Sequence, residues 1–291
     1  MANPVEILYR GNDMLGECPL WDDRAQALYW VDVRAPALQR YELAGGKTAS
    51  WRLPVPIGSF AFRRAGGFLL ALQTGLFRSA GFAGSLEPFA NPEPDRPTNR
   101  LNDGRTDPMG RFWVGSMSDA SRDPLGSLYR IDPDGGCSFH GNEIVVPNSL
   151  AWSPDGRIMY FADTYRQTIW QYDYDPADGM PGNRRTFRDM HSHPGRPDGS
   201  AVDAEGGLWN CEYGGWRIVR YRPDGEIDRV IPMPVANPTC CCFGDSDFRT
   251  LFVTSARQRL TPEELSAQPA AGSVFAIRTA VAGLPEYRFA G

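Results

Sequence analysis

Short apolar runs alternate with clusters of Asp, Gly and Pro along the whole chain, and the runs recur. Strands centred on Trp30, Leu69, Trp113, Phe161, Trp209 and Phe252 read LYWVD, GFLLA, RFWVG, MYFAD, GLWNC and TLFVT, at intervals of 39 to 48 residues. A second set keeps step with the first: ALQRY, GLFRS, SLYRI, TIWQY, RIVRY and SVFAI, with alternating apolar positions. Such alternation sets one face of a strand against a neighbouring sheet and leaves the other to water or the next interface. Asp-Gly turns at Asp134-Gly135, Asp155-Gly156 and Asp224-Gly225 suit hairpins, because glycine takes a positive φ at no steric cost. A period of roughly 40–50 residues made of short strands is the signature of a β-propeller with one four-stranded blade per repeat. Six repeats therefore predict an all-β, six-bladed β-propeller. A β-sandwich also has short strands and turns, but gives no reason for the period.

No linker-like stretch divides the 291 residues, so the expectation is one propeller domain over 1–291. The Pro-rich passage 90–97 reads as a loop between blades two and three. The opening Val5-Glu-Ile-Leu-Tyr9 alternates like a strand and is expected to complete the last blade. Only Thr261-Pro-Glu-Glu-Leu-Ser-Ala-Gln268 reads as helical, with Thr261 and Glu264 at capping-box spacing and Pro262 at the first helical position.

Charge and composition narrow the partners. A net charge of −5 and a pI near 5.3, with no basic stripe, exclude a nucleic-acid binder. Lys47 is the only lysine and reads as a hairpin tip, which argues against Schiff-base chemistry. No apolar run reaches the roughly 18 residues that span a bilayer, and no leader pattern opens the chain. A soluble, cytoplasmic protein without a membrane partner is expected; oligomeric state is not legible. The six cysteines contain no C-x-x-C pair and are expected to be reduced, with Cys240, Cys241 and Cys242 as small buried residues. His191 and His193 find no third soft ligand at zinc spacing and read as loop residues, with His193 close enough to Asp198 to reach a pocket rim. No G-x-S-x-G elbow, phosphate loop or dinucleotide fingerprint occurs, so neither a serine hydrolase nor a nucleotide cofactor is expected.

Glu17, Asn102, Asn148 and Asp198 fall in different repeats, in segments read as preceding the inner strands, and on a propeller such segments converge at one channel mouth. Two carboxylates and amide carbonyls are hard oxygen donors, suited to calcium, magnesium or manganese. Singly, Asn148 and Asp198 are also ordinary turn formers; the set carries the weight.

The motifs Leu15-Gly-Glu-Cys-Pro-Leu-Trp21, Arg100-Leu-Asn-Asp-Gly104, Asn148-Ser-Leu-Ala-Trp-Ser-Pro-Asp-Gly156, Pro197-Asp-Gly199 and Cys241-Cys-Phe-Gly244 occur in order. The chain thereby resembles, over essentially its whole length, the gluconolactonase and regucalcin family, also called the senescence marker protein and luciferin-regenerating enzyme family. The resemblance implies a six-bladed propeller with one divalent metal near the channel, hydrolysing lactones of sugar acids to open-chain aldonic acids. Calcium is the first choice of ion, with zinc, manganese or magnesium as alternatives. It implies Glu17, Asn148 and Asp198 as protein ligands, with Asn102 nearby or bonded through water. Arg100 and Asn102 match positions that bind sugar hydroxyls, and a planar donor fork suits Arg100 to that task. Asp198 is expected to be the catalytic base as well as a ligand; a hydroxide on the cation is an equal alternative, because the ion weakens Asp198 as a base.

One departure from the relatives bears on substrate choice. A glutamate that contacts the sugar is replaced at the matching offset, four before Gly126, by Arg122, with Asp119 and Asp123 near enough to substitute. If Arg122 faces the pocket, it favours a substrate carrying a carboxylate or sulfonate; otherwise a neutral pentose or hexose lactone is expected. Two other readings stay open: a metal-assisted esterase or phosphotriesterase on the same scaffold, with a more apolar pocket, and a non-catalytic calcium-binding propeller.

Overall fold

A computed structural model describes residues 5–291, and its strands fall into six four-stranded antiparallel sheets. The first blade runs Gly16–Asp22, Ala27–Asp32, Ala37–Glu42 and Lys47–Arg52 from the axis outward. The inner strands of blades two to six are Ile57–Phe62, Asn99–Thr106, Pro147–Trp152, Arg196–Val202 and Pro238–Gly244. Each inner strand touches the two beside it, and the sixth touches the first, so the ring is closed. Val5–Tyr9 pairs with Val274–Arg278 and supplies the outer strand of blade six, as the alternation of its side chains predicts. This tie between chain ends removes the seam at which a ring of repeats would open.

The hydrophobic core is divided among the blade interfaces. Trp113 and Leu128 of blade three pack on Leu150, Met159 and Phe161 of blade four. Trp209 and Ile218 of blade five meet Phe243, Leu251 and Phe275 of blade six, and the other four interfaces are built alike. Full burial of each large side chain is worth roughly 1.5–3 kcal/mol, so every interface holds its neighbour by several such residues.

The aromatic repeat that announces the fold marks the second strand of each blade: Trp30, Trp113, Phe161, Trp209 and Phe252 all lie there, as does Leu69. The candidate site residues accordingly lie within the inner strands, and the expectation that they precede them is corrected. Crowding explains the difference. Blades diverge from the axis, so the wide space between second strands takes aromatics. The inner strands carry Gly58, Ser59, Gly104, Ser149, Gly199 and Ser200, which leave little apolar signal to read. A Cβ on Gly199 would overlap Sγ of Cys240 in the adjacent blade.

The two channel mouths differ. The tail residues Leu284, Pro285, Glu286 and Tyr287 lie across one mouth against Arg105, Trp152, Val202 and Phe243, with Arg105 Nη1 on Glu286 at 2.9 Å. The other mouth is open. The one α-helix among the described residues, Pro262–Ala267, starts with the Thr261/Glu264 capping box. All six cysteines are free; Cys240, Cys241 and Cys242 are buried.

Candidate active site

The site is built by a defect that every inner strand shares. Glu17 pairs with Val31 and Leu20 with Tyr29, so Cys18 and Pro19 together oppose Trp30. In the same way Asn102 and Asp103 oppose Gly115, Ser149 and Leu150 oppose Phe161, and Asp198 and Gly199 oppose Cys211. Blade six repeats this with Thr239 and Cys240, and blade two with Gly58 alone. A bulge bends its strand and re-aims a side chain that pleating would send into an interface. Cys18 and Ser149 adopt φ of 46° and 61°, the left-handed conformation that turns the backbone directly after Glu17 and Asn148. Four blades thereby present polar groups to the axis.

At the open mouth Glu17, Asp198, Arg100 and Asn102 line one cleft, with Leu15, Met117 and Val146 as apolar wall. Asn148 lies directly behind this wall. Its Nδ2 donates to Thr164 Oγ1 at 2.7 Å, and Thr164 Oγ1 donates on to the Pro197 carbonyl, which fixes which end of the amide is oxygen. The Asn148 Oδ1 accepts only a long bond, 3.3 Å, from Asn102 Nδ2. Asn102 also donates to the Pro147 carbonyl at 2.8 Å and accepts from Arg100 Nη1 at 2.6 Å, so its amide is held at both ends. The Asp198 backbone carbonyl is clamped by Ser149 Oγ and Asn210 Nδ2.

Neither Glu17 nor Asp198 forms an ion pair among the described residues. Glu17 accepts one bond, from the Cys18 N–H at 3.3 Å. Burial pushes the Glu17 carboxyl up to about 8, with Asp103 adding repulsion. Burial likewise raises Asp198 well above the usual range, and Glu17 and then Asp103 raise it further. Asp103, deeper in the channel, is itself raised by burial, partly offset by Arg105. Like charges brought together out of water require a compensating cation or a proton. Among the described residues no three His, Cys, Asp or Glu side chains form a ready-made cage. The donors here are two carboxylates that line the cleft and the Asn148 amide oxygen behind its wall. That set fits a hard divalent ion which keeps positions for water and substrate.

Arg100 is buried, and its charge is anchored by Asp119 through Nε at 2.9 Å. Asp119 also takes both Nη atoms of Arg34, at 2.6 and 2.8 Å. Burial pushes the Asp119 carboxyl up, but Arg34 and Arg100 outweigh this and hold it at about 2. Asp119 is thus committed to two arginines. Arg100 Nη2 has no hydrogen-bond partner among the described residues and is left for a ligand. Arg122 lines the cleft, as do Arg34, Arg196, Arg259 and Tyr165. His193 does not reach the rim: its Nδ1 lies 2.8 Å from Glu212 Oε1, in a network with Arg217.

Sequence reasoning missed Asp103, Thr164, Arg34, Arg196, Arg259 and Tyr165. Asp103 adjoins Asn102 and Arg196 stands two before Asp198, so both were within reach of the motifs. Nothing local marks Arg259, which arrives on a loop after the second strand of blade six.

The family model for the SMP-30/Gluconolactonase/LRE-like region matches residues 15–257. The chain is 37% identical over 292 residues to the 6-deoxy-6-sulfogluconolactonase of Pseudomonas putida, with all of each chain covered. It is 39% identical over 299 residues to the L-arabinolactonase of Azospirillum brasilense, covering 100% of this chain and 97% of that one. The crystal structure of a calcium-binding protein, regucalcin, from Agrobacterium tumefaciens superposes with a TM-score of 0.95 at 32% identity, covering 99% and 97% of the two chains.

Proposed function

The chain belongs to the SMP-30/Gluconolactonase/LRE-like family, and on that premise we propose that it is a metal-dependent lactonase opening a sugar-derived lactone to its aldonic acid. The observation that carries this reading is the pair of buried carboxylates, Glu17 and Asp198, that share one cleft without a cationic side chain to pair them. Glu17, Asn148 and Asp198 would hold a divalent ion, calcium first given the calcium-binding relative. When bound, the ion supplies Lewis-acid polarisation of the lactone carbonyl and charge for the developing oxyanion.

The protein's own groups do the rest. Asp198 would take the proton of the attacking water through the carboxylate oxygen left free of the ion. Arg100 donates Nη2 to a sugar hydroxyl, held in place by Asp119 and Asn102. Asn102, with both amide ends engaged, orients Arg100 and Asn148. Leu15, Met117 and Val146 cover the apolar face of the ring. Five arginines on the wall do not suit an aryl ester, which favours the sugar substrate over the esterase reading.

The test is a pH-indicator assay over aldonolactones, with chelator and with cation restored. Turnover abolished by chelation and regained with the ion, and lost in folded Asp198→Ala, is the expected result. Full activity after chelation, or in Asp198→Ala, overturns the assignment.

A further inference from the structure

Of the five arginines on the cleft wall, two are neutralised in part by Asp119 and three are not. Arg122, Arg196 and Arg259 have no carboxylate partner among the described residues. They come from three different blades, three, five and six, and gather on Tyr165 of blade four. Tyr165 Oη accepts from Arg259 Nη1 at 2.7 Å and from Arg122 Nε at 3.1 Å. The Arg196 guanidinium lies 4.5 Å and that of Arg122 5.3 Å from the tyrosine ring centroid. One neutral side chain thus holds three positive groups against their mutual repulsion.

The accumulation is local. The chain carries a net charge of −5, so three unpaired guanidiniums at the mouth of its one open channel are not a sample of the general surface. Arg259 is held there with φ of +65°, a conformation unfavourable to a side chain of its kind and found where the surroundings impose it. Arg196 stands two residues before Asp198 on the same strand, and Tyr165 directly follows Thr164, which anchors Asn148. The three arginines therefore stand beside the buried carboxylates on the wall of the same cleft.

We infer that Arg122, Arg196 and Arg259, set around Tyr165, form an anion subsite that selects lactones with a tetrahedral oxyanion on the carbon farthest from the carbonyl. Three guanidiniums brought to one tyrosine from three blades offer donors that suit a sulfonate or phosphate with three acceptor oxygens better than a two-oxygen carboxylate. This subsite rests on the lactonase reading for its consequence in turnover, but its binding of an anion does not.

Two measurements separate the two claims. The first compares kcat/KM for lactones of one sugar skeleton ending in hydroxymethyl, carboxylate, sulfonate or phosphate, for the native enzyme and for Arg122→Gln, Arg196→Gln and Arg259→Gln. The native enzyme should favour a tetrahedral anionic tail over hydroxymethyl by at least about ten-fold, and each variant should cut that ratio by about ten-fold. Arg122→Lys should recover part of it, keeping the charge without the fork. The second is calorimetric titration of the metal-loaded protein with the open-chain sulfonated and phosphorylated sugar acids, against the neutral one. Tighter binding of either anionic acid, weakened in all three variants, supports the subsite even where no lactone is turned over. A preference for the sulfonate alone or the phosphate alone identifies the source. A native ratio near one, equal binding of neutral and anionic acids, or variants that lower both substrates alike, overturns it.

Discussion

Asp119→Asn tests whether this carboxylate works by holding arginines. Asp119 bonds Arg100 through Nε and Arg34 through both Nη atoms, and Arg100 is only 4% exposed. The asparagine keeps the shape and one acceptor oxygen but strands the buried guanidinium. Two routes size the loss. A carboxyl held at about 2 against an ordinary 3.8 is worth about 2 kcal/mol, trimmed toward 1 by the solvent that reaches it. Breaking a buried pair costs about 3–5 kcal/mol, and partial exposure of Asp119 places this case below that range. Together they bracket a loss of about 1–3 kcal/mol, or a fall in Tm of about 5 °C for a chain of this size. The sign is fixed by the depressed pKa: the contribution is complete above about pH 4 and is lost as the pH falls through about 2. Native and variant stabilities should therefore converge in acid. The assay is a urea titration from pH 2 to pH 7 at constant metal, with KM measured at pH 7. KM should rise more than kcat falls if Arg100 serves the sugar hydroxyls, as proposed, and not the reacting carbonyl. Equal stabilities at pH 7, or a loss confined to kcat, would refute the assignment.

Two further outcomes follow from the same site. With Glu17 raised to about 8 and Asp198 raised beside it, the metal-free pair keeps a proton at neutral pH. A cation must displace what the pair holds, so affinity should climb at least about ten-fold per pH unit as the pH rises toward 8. Calorimetry in buffers of different ionisation enthalpy should count at least about one proton released at pH 7, and affinity independent of pH between 6 and 8 would remove the coupling. Gly199→Ala drives a methyl into Sγ of Cys240 across the blade five–six contact. It should lower stability by about 1–3 kcal/mol and weaken metal binding at Asp198 next door. An unperturbed Gly199→Ala protein would show that this contact does not set the position of Asp198.

The architecture was legible because its signal is geometric. Aromatic second strands fill a wider gap between blades than the inner strands do, so their 39-to-48-residue spacing reports six blades directly. The helix at Pro262–Ala267 and the closing strand Val5–Tyr9 were readable for local reasons: a capping box and a two-residue alternation. The inner strands were hidden for the opposite reason. Their small residues make way for neighbouring blades and leave no hydrophobic pattern, so the residues that matter looked like turn formers ahead of a strand. Glu17, Asn102, Asn148 and Asp198 could be named from motif text, but the bulges that aim them could not, since the extra residue in each strand shows only once the partner strand's register is known.

That shared bulge also explains how one scaffold separates chemistry from selection. Residues at the bulges are clamped between two inner strands, as Ser149 and Asn210 clamp the Asp198 carbonyl, so their positions are set by the ring. The arginines stand on loops and strand ends outside the ring: Arg122 after the second strand of blade three, Arg259 after that of blade six, Arg196 at the start of an inner strand. On the proposed assignment, substitutions there should change which tail the mouth accepts without moving the carboxylates beneath. Asp119 joins the two layers, because it belongs to the loop of Arg122 yet fixes the buried Arg100. A change at Asp119 should therefore disturb sugar binding at the wall, whereas a change at Arg122 should redirect the enzyme between charged and neutral tails.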